Sequence, residues 1–190
     1  MEIKATKKEI RNLIFEKRKE CSQEEIEEKS LEIARKISEF PEFREADCIY
    51  AYMDCKREAS TKEILKRAWE LGKRTAVPKV TGEDLIFYYI ESFDDTKPGY
   101  FQVPEPVTGK EAWEEDAFLI VPGVAFDAMC RRCGYGKGFY DRYLSLHTGH
   151  KTAAVALDFQ IVEEVPADPH DICPQMVVTP SHIYLMPERS

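Results

Sequence analysis

Hydrophobic residues recur along the chain with two spacings, one typical of helices and the other typical of strands. Thr6 can cap a first helix. The residues that follow it at helical spacing are Ile10, Leu13, Ile14 and Lys17. Ser22 followed by Glu25 has the pattern of a capping box, which predicts the start of a second helix. Pro41 is expected to end this second helix. The predicted inner face of the helix consists of Ile26, Ile33, Ala34 and Ile37.

Strand and helix signals alternate along the rest of the chain. Strands are predicted at residues 48–53, 75–80, 85–90, 117–126, 152–159, 176–179 and 182–186. Helices are predicted at residues 61–72 and 139–147. Residues 117–126 are nearly all apolar, as in a strand that is buried on both faces. Residues 91–116 are acidic and contain prolines, which favours an irregular surface excursion.

This order of elements predicts a single domain over residues 1–190 with an α/β fold. We expect a three-layer α/β/α sandwich, Rossmann-like, around a mostly parallel (mixed) central sheet. Ligands of such sheets bind beyond the carboxyl ends of the strands. The segment after the predicted strand 117–126 is therefore the expected position of a site.

Composition narrows the class of protein. The 190 residues are 43% hydrophobic and 33% charged, with a formal net charge of −8. That charge disfavours binding to nucleic acid or to anionic membrane, because both depend on summed positive charge. No secretory signal or membrane-length apolar run is visible, and the six cysteines do not resemble a disulfide scaffold. We expect a cytoplasmic protein, a monomer or weak homo-oligomer, that acts on small molecules.

A glycine-rich loop, GYGKGFYD, follows the most apolar strand at residues 134–141. Its alternate glycines allow backbone N–H groups to turn toward one anion, and the next helix would point its positive end there. Lys137, Arg131 and Arg132 add positive charge. The loop matches neither G-x-x-x-x-G-K-[ST] nor G-x-G-x-x-G. By itself it is equally consistent with a phosphate cradle and with a plain strand-to-helix turn.

Asp141 favours the phosphate cradle. A carboxylate in the first helical turn would repel a bound phosphate unless a cation lay between them, and Mg²⁺ suits that position. The alternative is that Asp141 only complements the helix dipole.

Five segments resemble the 5-formyltetrahydrofolate cyclo-ligase family. The central one is IVPGVAFDAMCRRCGYGKGFYDRYL at residues 120–144, with a VPG-x-x-FD strand end, an arginine, the glycine loop and a Tyr-Asp pair. The others, in the family's order, are KKEIR (7–11), EASTKEIL (58–65), VPEP (103–106) and PHD (169–171). The resemblance implies an enzyme that converts 5-formyltetrahydrofolate to 5,10-methenyltetrahydrofolate, with ATP and Mg²⁺ and release of ADP and phosphate.

The resemblance also implies roles for individual residues. ATP would be bound by Lys7, Arg11, Arg132, Gly134, Tyr135, Gly136, Lys137, Gly138, Phe139 and Tyr140, with Lys137 and Arg132 as the catalytic residues. The folate would be bound by Met53, Glu58, Tyr135, Gly136, Lys137, Gly138 and Phe139, with Glu58 on the pterin. Mg²⁺ would be held by Asp141 and Asp171.

Each of these residues also has a structural interpretation that involves no ligand. Lys7 and Arg11 fit a solvated helix face, and Glu58 fits a charge before a helix. Asp171 fits a turn brace, and the aromatic residues fit packing against the sheet. Two further hypotheses remain open: another ATP-dependent phosphoryl-transfer enzyme on this fold, and a non-catalytic folate- or nucleotide-binding module.

The chain departs from the family pattern at three places. Tyr135 stands where several members have arginine, and Phe139 stands where tyrosine is more usual. Cys130 and Cys133 form a C-x-x-C pair that does not belong to the pattern. We interpret this pair as two incidental cysteines. The alternatives are a zinc site, which needs four ligands, and a redox site.

Overall fold

The computed structural model describes residues 5–55, 57–99 and 102–187. The helices are α1 (Lys7–Glu20), α2 (Gln23–Ile37), α3 (Pro41–Glu45), α4 (Lys62–Glu70) and α5 (Phe139–Leu146). The strands are β1 (Cys48–Ala51), β2 (Arg74–Thr81), β3 (Asp84–Ile90), β4 (Thr96–Pro98), β5 (Pro104–Pro106), β6 (Phe118–Val121), β7 (Ala125–Phe126), β8 (Arg132–Cys133), β9 (Lys151–Val155), β10 (Met176–Val178) and β11 (Ile183–Leu185).

The central sheet has seven strands in the order β11-β10-β9-β6-β1-β2-β3. Strand β1 is parallel to β2 and β6, and β9 is parallel to β6 and β10. Only the edge strands β3 and β11 pair in the antiparallel sense. The predicted α/β class with a mostly parallel, mixed sheet is confirmed.

Helices cover both faces of this sheet. On one face, Ile33 of α2 and Leu65 of α4 belong to a buried cluster with Phe118 of β6. On the other face, Leu144 of α5 belongs to a cluster with Tyr50 of β1. Helix α1 packs separately against the β7–β8 hairpin. This arrangement gives the expected layers and leaves the carboxyl ends of the parallel strands facing α1.

The caps of the first two helices lie where the sequence predicts them. Thr6 and Glu9 form a capping box at α1, and Ser22 and Glu25 form one at α2. Leu13 lies in the predicted helix, but its side chain is 50% exposed. The buried face of α1 consists of Ile10, Ile14 and Arg18. Leu13 precedes Ile14 on the helix and points about 100° away from it, out of the contact with the hairpin.

The predicted strand 117–126 is broken into two. Strand β6 ends at Val121, and β7 begins at Ala125 and pairs with β8 instead of the central sheet. Pro122 has no N–H to donate to a ladder, which ends the strand. Gly123 then passes so close to the Phe126 ring that a Cβ would lie 2.4 Å from its Cζ. The chain therefore turns away at the carboxyl edge of the sheet.

Other boundaries also differ from the predictions. Strand β1 ends at Ala51, and β9 ends at Val155 before a short 3₁₀ helix, Asp158–Gln160. The segment 91–116 is more ordered than predicted, since it contains the 3₁₀ helix Phe93–Asp95 and the β4–β5 hairpin. Positions 100 and 101 of that segment lie outside the described residues. Over the described ranges, we find no helix with the length and apolarity needed to cross a membrane.

The buried imidazole of His150 ties α5 to the sheet. Its Nδ1 lies 3.0 Å from the Ala117 carbonyl oxygen, and its Nε2 lies 3.0 Å from the Tyr143 hydroxyl. Because a carbonyl only accepts, Nδ1 carries the proton and Nε2 accepts from Tyr143. Burial lowers the pKa of His150 below its ordinary value of 6.5.

Acid should therefore weaken the fold through His150. The unfolded chain binds a proton there near pH 6.5, whereas the folded chain binds it only at lower pH, so stability is lost as pH falls below 6.5. We expect the stability advantage of the wild type over His150→Asn to narrow between about pH 8 and about pH 5 in urea unfolding. His182→Asn, at an exposed position, is the control. Parallel pH profiles for wild type and His150→Asn would contradict this assignment.

Candidate active site

The glycine loop connects β8 directly to α5. Gly138 is the N-cap of α5, with φ of 69°, and Gly136 has φ of 94°, both in the region that favours glycine. Arg11 of α1 donates from Nε to the Gly134 carbonyl at 2.7 Å. A Cβ on Gly136 would lie 3.4 Å from Arg11 Nη2. The loop thus lies between the start of α5 and a cationic face of α1.

A cavity of about 320 Å³ opens against this loop. It is lined by Lys7, Arg11, Pro122, Arg132, Gly134, Tyr135, Gly136, Lys137, Gly138, Phe139, Tyr140, Asp141, Asp168 and Asp171. The structure therefore brings together all ten residues predicted for ATP and both carboxylates predicted for the metal. Pro122 and Asp168 also line the cavity, although the sequence analysis assigned them no role.

Ion pairs connect the charged residues that line this first cavity. The buried Arg132 donates from Nη2 to Asp141 Oδ1 at 2.6 Å, and the same oxygen accepts the Ile172 N–H at 3.1 Å. Lys7 Nζ lies 2.5 Å from Asp171 Oδ2 and 2.7 Å from Asp168 Oδ2. Burial opposes the charge on Lys7, but the two carboxylates outweigh it and raise the pKa of Lys7. Each predicted metal ligand is thus already neutralised by a cation.

Lys137 differs from the other cations of the cavity. Its side chain is exposed, and it forms none of the ion pairs found among the described residues. Its carbonyl accepts a 2.9 Å hydrogen bond from Arg142 Nη1, which fixes the backbone at Lys137. The exposed ammonium group is the cation best able to move onto an incoming anion.

A second cavity, of about 150 Å³, lies on the other side of the loop aromatics. Its walls are mostly apolar, and they consist of Tyr52, Met53, Cys55, Glu58, Pro78, Val80, Leu85, Val103, Glu105, Pro122, Tyr135, Phe139 and Tyr140. Met53 and Glu58, both predicted for the folate, lie here. Tyr135 and Phe139 line both cavities, whereas Gly136, Lys137 and Gly138 line only the first.

Glu58 is the buried charge of this second cavity. Its Oε1 accepts the Tyr135 hydroxyl at 2.7 Å, and its Oε2 accepts the Cys55 N–H at 3.0 Å. Arg18 Nη2 lies 3.9 Å from Oε1. Burial raises the pKa of Glu58, while Arg18 and the hydrogen bonds act in the opposite direction. This carboxylate is held by neighbours that stabilise its charged form.

Arg18 is the functional candidate that the sequence analysis missed. It is buried, and it lies on the α1 face that also carries Lys7 and Arg11. Arg11 follows Lys7 by four residues, and Arg18 follows Arg11 by seven. Spacings of one and two helical turns could have identified it. Glu105 and Val103 were also missed as cavity residues, although the VPEP motif that contains them was noted.

Tyr140 lies between the two cavities. Its hydroxyl is buried and has no hydrogen-bond partner within residues 5–55, 57–99 and 102–187. Burial raises its pKa, so the hydroxyl keeps its proton. An unpaired buried donor is costly unless a ligand or water accepts its proton.

The C-x-x-C pair does not form a common site. Cys130 Sγ lies 3.5 Å from the Tyr184 carbonyl oxygen, whereas Cys133 Sγ lies 3.6 Å from that of Lys7. No cluster of three or more His, Cys, Asp or Glu side chains able to hold a metal occurs in the described part of the chain. The zinc alternative therefore has no ligand set among these residues.

Comparisons with known proteins agree with one another. The model of the 5-formyltetrahydrofolate cyclo-ligase family matches residues 3–180. A probable 5-formyltetrahydrofolate cyclo-ligase of Caenorhabditis elegans is 29% identical and covers 90% of this chain and 90% of its own. The 5-formyltetrahydrofolate cyclo-ligase of Saccharomyces cerevisiae is 34% identical over 68% of this chain and 72% of its own. The solved structure of Aquifex aeolicus 5,10-methenyltetrahydrofolate synthetase is 32% identical with a TM-score of 0.84, covering 97% of this chain and 95% of that one.

The cradle geometry can be tested without any assumption about turnover. Gly136→Ala should cost about 1 kcal/mol of backbone strain at this positive φ and shift the loop backbone, weakening pyrophosphate binding about tenfold in calorimetry. Gly82→Ala is the matched control, because Gly82 has φ of 64° in a turn with open space around it. Equal pyrophosphate affinity of the two variants would contradict the cradle.

Proposed function

The chain belongs to the 5-formyltetrahydrofolate cyclo-ligase family, and on this basis we propose that it converts 5-formyltetrahydrofolate to 5,10-methenyltetrahydrofolate, with ATP and Mg²⁺ and release of ADP and phosphate. The observation that carries the proposal is a pair of adjoining cavities with opposite character. One is charged and faces the glycine loop, and the other is apolar with a buried carboxylate. The two share a wall, where a phosphoryl donor and a folate would meet.

The charged cavity suits the phosphates of ATP. Arg11 and Lys7 approach from α1, and Arg132 and Lys137 approach from the other side with the loop backbone. Phosphoryl transfer needs positioning and neutralisation of charge more than covalent chemistry from the protein. We assign Lys137 and Arg132 to the transferring phosphoryl group, because Lys137 is exposed at the cavity and Arg132 is fixed by Asp141.

Asp141 and Asp171 fit Mg²⁺. Each presents carboxylate oxygens to the same cavity, and Mg²⁺ characteristically takes one or two carboxylates and completes its shell with water and phosphate oxygens. A fuller protein ligand set is therefore unnecessary. The bound ion would reduce the negative charge of the nucleotide phosphates.

The apolar cavity suits the pterin end of the folate. Glu58 can accept hydrogen bonds from the paired N–H donors of the 2-aminopyrimidinone ring, and ionised acceptors make the stronger bonds. Phe139 and Tyr135 provide flat faces against which a ring can stack. Met53 contributes an adaptable apolar wall.

The reaction requires ligands in both cavities to meet at one atom, the formyl oxygen. The formyl oxygen is a poor leaving group until it is phosphorylated. It therefore first attacks the γ-phosphorus of ATP, and ADP departs. The resulting imidate phosphate has a carbon that N10 attacks, and phosphate then leaves with the formyl oxygen while N10 loses its proton. The Tyr140 hydroxyl lies on the shared wall, where it can donate a hydrogen bond to an oxygen of the reacting group.

A direct assay tests this function. Purified protein mixed with 5-formyltetrahydrofolate, ATP and Mg²⁺ should produce the absorbance of the methenyl product, together with ADP and phosphate in equal amounts. Omission of ATP, or removal of Mg²⁺ by a chelator, should abolish the product. Phosphate release without a methenyl product would favour another phosphoryl-transfer enzyme, and ligand binding without turnover would favour a non-catalytic module.

Glu58→Gln tests the assignment of the apolar cavity. Loss of a charged acceptor should raise KM for 5-formyltetrahydrofolate by about ten- to a hundredfold and change KM for ATP far less. Glu114→Gln is a matched control, since Glu114 is also a buried carboxylate that accepts tyrosine hydroxyls, those of Tyr50 and Tyr89, but lies outside both cavities. A parallel rise in both KM values for Glu58→Gln would contradict the assignment.

A further inference from the structure

Arg18 and Tyr135 form one hydrogen-bonded chain with Glu58. Arg18 Nη1 donates to the Tyr135 hydroxyl oxygen at 2.7 Å, and that hydroxyl lies 2.7 Å from Glu58 Oε1. The guanidinium also lies over the Tyr135 ring, with Cζ 5.8 Å from its centroid. Arg18 and Glu58 are both almost fully buried, with side chains 3% and 4% exposed. Arg18 lines neither cavity.

The direction of the Tyr135 O–H follows from this chain. A guanidinium can only donate hydrogen bonds, so the phenol oxygen accepts from Arg18. Its single proton must then point to Glu58. Tyr135 lines both cavities, so Arg18 determines the orientation of a side chain that a bound ligand would touch.

Among the described residues around Glu58, one buried group carries the opposite charge. Tyr52 and Tyr140 face it as neutral hydroxyls, Cys55 donates its N–H, and Asp54 adds negative charge nearby. Arg18 is the cation whose attraction offsets the burial of Glu58. Removal of one partner from a buried ion pair leaves the other charge uncompensated.

We propose that Arg18 is a positioning residue for recognition of the pterin ring: it keeps Glu58 ionised and directs the Tyr135 hydroxyl onto one of its oxygens, leaving the remaining acceptor positions for the N–H donors of the ligand. The inference rests on the proposed function, because it presumes a pterin in the apolar cavity. It adds a residue that acts through Glu58 and does not itself touch the substrate.

Arg18→Gln should separate positioning from folding. Without the guanidinium, Glu58 takes up a proton at higher pH and loses acceptor capacity. We expect KM for 5-formyltetrahydrofolate to rise about tenfold for each pH unit below the shifted pKa and to recover in alkali. We expect KM for ATP to keep the wild-type pH profile. Arg18→Lys, which keeps the charge without the planar fork, should restore most of the pH profile.

A direct titration provides a readout that does not need turnover. Carbon-13 NMR of the glutamate carboxyl groups, with the Glu58 signal assigned from Glu58→Gln, should show Glu58 titrating at higher pH in Arg18→Gln than in wild type. The double variant Arg18→Gln/Glu58→Gln removes the uncompensated charge and should fold even if Arg18→Gln does not. It should bind the folate no more weakly than Glu58→Gln alone, because the two residues act as a unit.

Arg74→Gln is the matched control. Arg74, which is half-exposed, pairs with the buried Glu114 at 2.6 Å, and Glu114 accepts two tyrosine hydroxyls, so an arginine also compensates a buried, tyrosine-bonded carboxylate outside the two cavities. This variant should lower stability and leave the pH profile of folate KM unchanged.

The outcomes distinguish the two proposals. If wild type turns over 5-formyltetrahydrofolate but Arg18→Gln and Arg18→Lys keep the wild-type titration of Glu58 and the wild-type pH profile, Arg18 is only a packing residue and the inference is overturned. Additive losses in the double variant would also overturn it. If wild type neither binds nor converts 5-formyltetrahydrofolate, the proposed function fails first, and pterin recognition fails with it.

Discussion

The break in the central strand at Pro122 and Gly123 determines the position of the β7–β8 hairpin, the glycine loop and helix α1, which carry most of the candidate site residues. Because Pro122 cannot donate to the sheet, the chain leaves it at the carboxyl edge and forms the β7–β8 hairpin. That hairpin presents Arg132 and the glycine loop above the parallel strands, where α/β sheets hold their ligands. It also forms the surface on which Ile10 and Ile14 of α1 pack. The packing of α1 then fixes Lys7, Arg11 and Arg18 on the side of the cavities.

Charge balance is the second constraint on the site. A cluster of cations suited to phosphate would repel itself in the absence of a ligand. Here Asp141 neutralises Arg132, and Asp168 and Asp171 neutralise Lys7. In the proposed complex, the nucleotide phosphates would pair with the cationic groups and the carboxylates would hold the metal ion. The site can thus hold a highly charged ligand within a chain whose net charge is −8.

Local signals were sufficient to predict much of this molecule. Capping boxes and apolar runs define elements through contacts within a few residues, and those elements lie where predicted to within a few positions. The family motifs identified the residues that line the charged cavity at the glycine loop. The apolar composition of residues 117–126 predicts burial, and it does not predict the break. Both halves are buried, β6 in the central sheet and β7 in the hairpin with β8. The composition does not reveal which partner each half pairs with.

The part of the site that the sequence did not predict depends on contacts between distant segments. Arg18 is 40 positions from Glu58 and more than a hundred from Tyr135, and its role exists only where α1 crosses the hairpin. Asp168 acquires a partner only when the loop that carries it meets Lys7. The hairpin β4–β5, read from sequence as an excursion, returns Val103 and Glu105 to the apolar cavity. Each of these is a tertiary contact between segments that are distant in the sequence, and helical spacing marks only the face on which Arg18 lies.

The departure from the family pattern at Tyr135 gains a physical explanation from the same contacts. An arginine at this position would bring a second cation to Glu58, beside the buried Arg18. Tyrosine instead supplies a neutral hydroxyl that accepts from Arg18 and donates to Glu58, so it connects the two charged groups without added charge. Its ring also forms part of the wall between the two cavities, together with Phe139 and Tyr140. Because this wall belongs to the same loop and helical turn that would hold phosphate, the position of the nucleotide and the position of the pterin are set by one short segment. The proposed reaction requires such a geometry, since the formyl oxygen must be placed against the γ-phosphate before either bond can change.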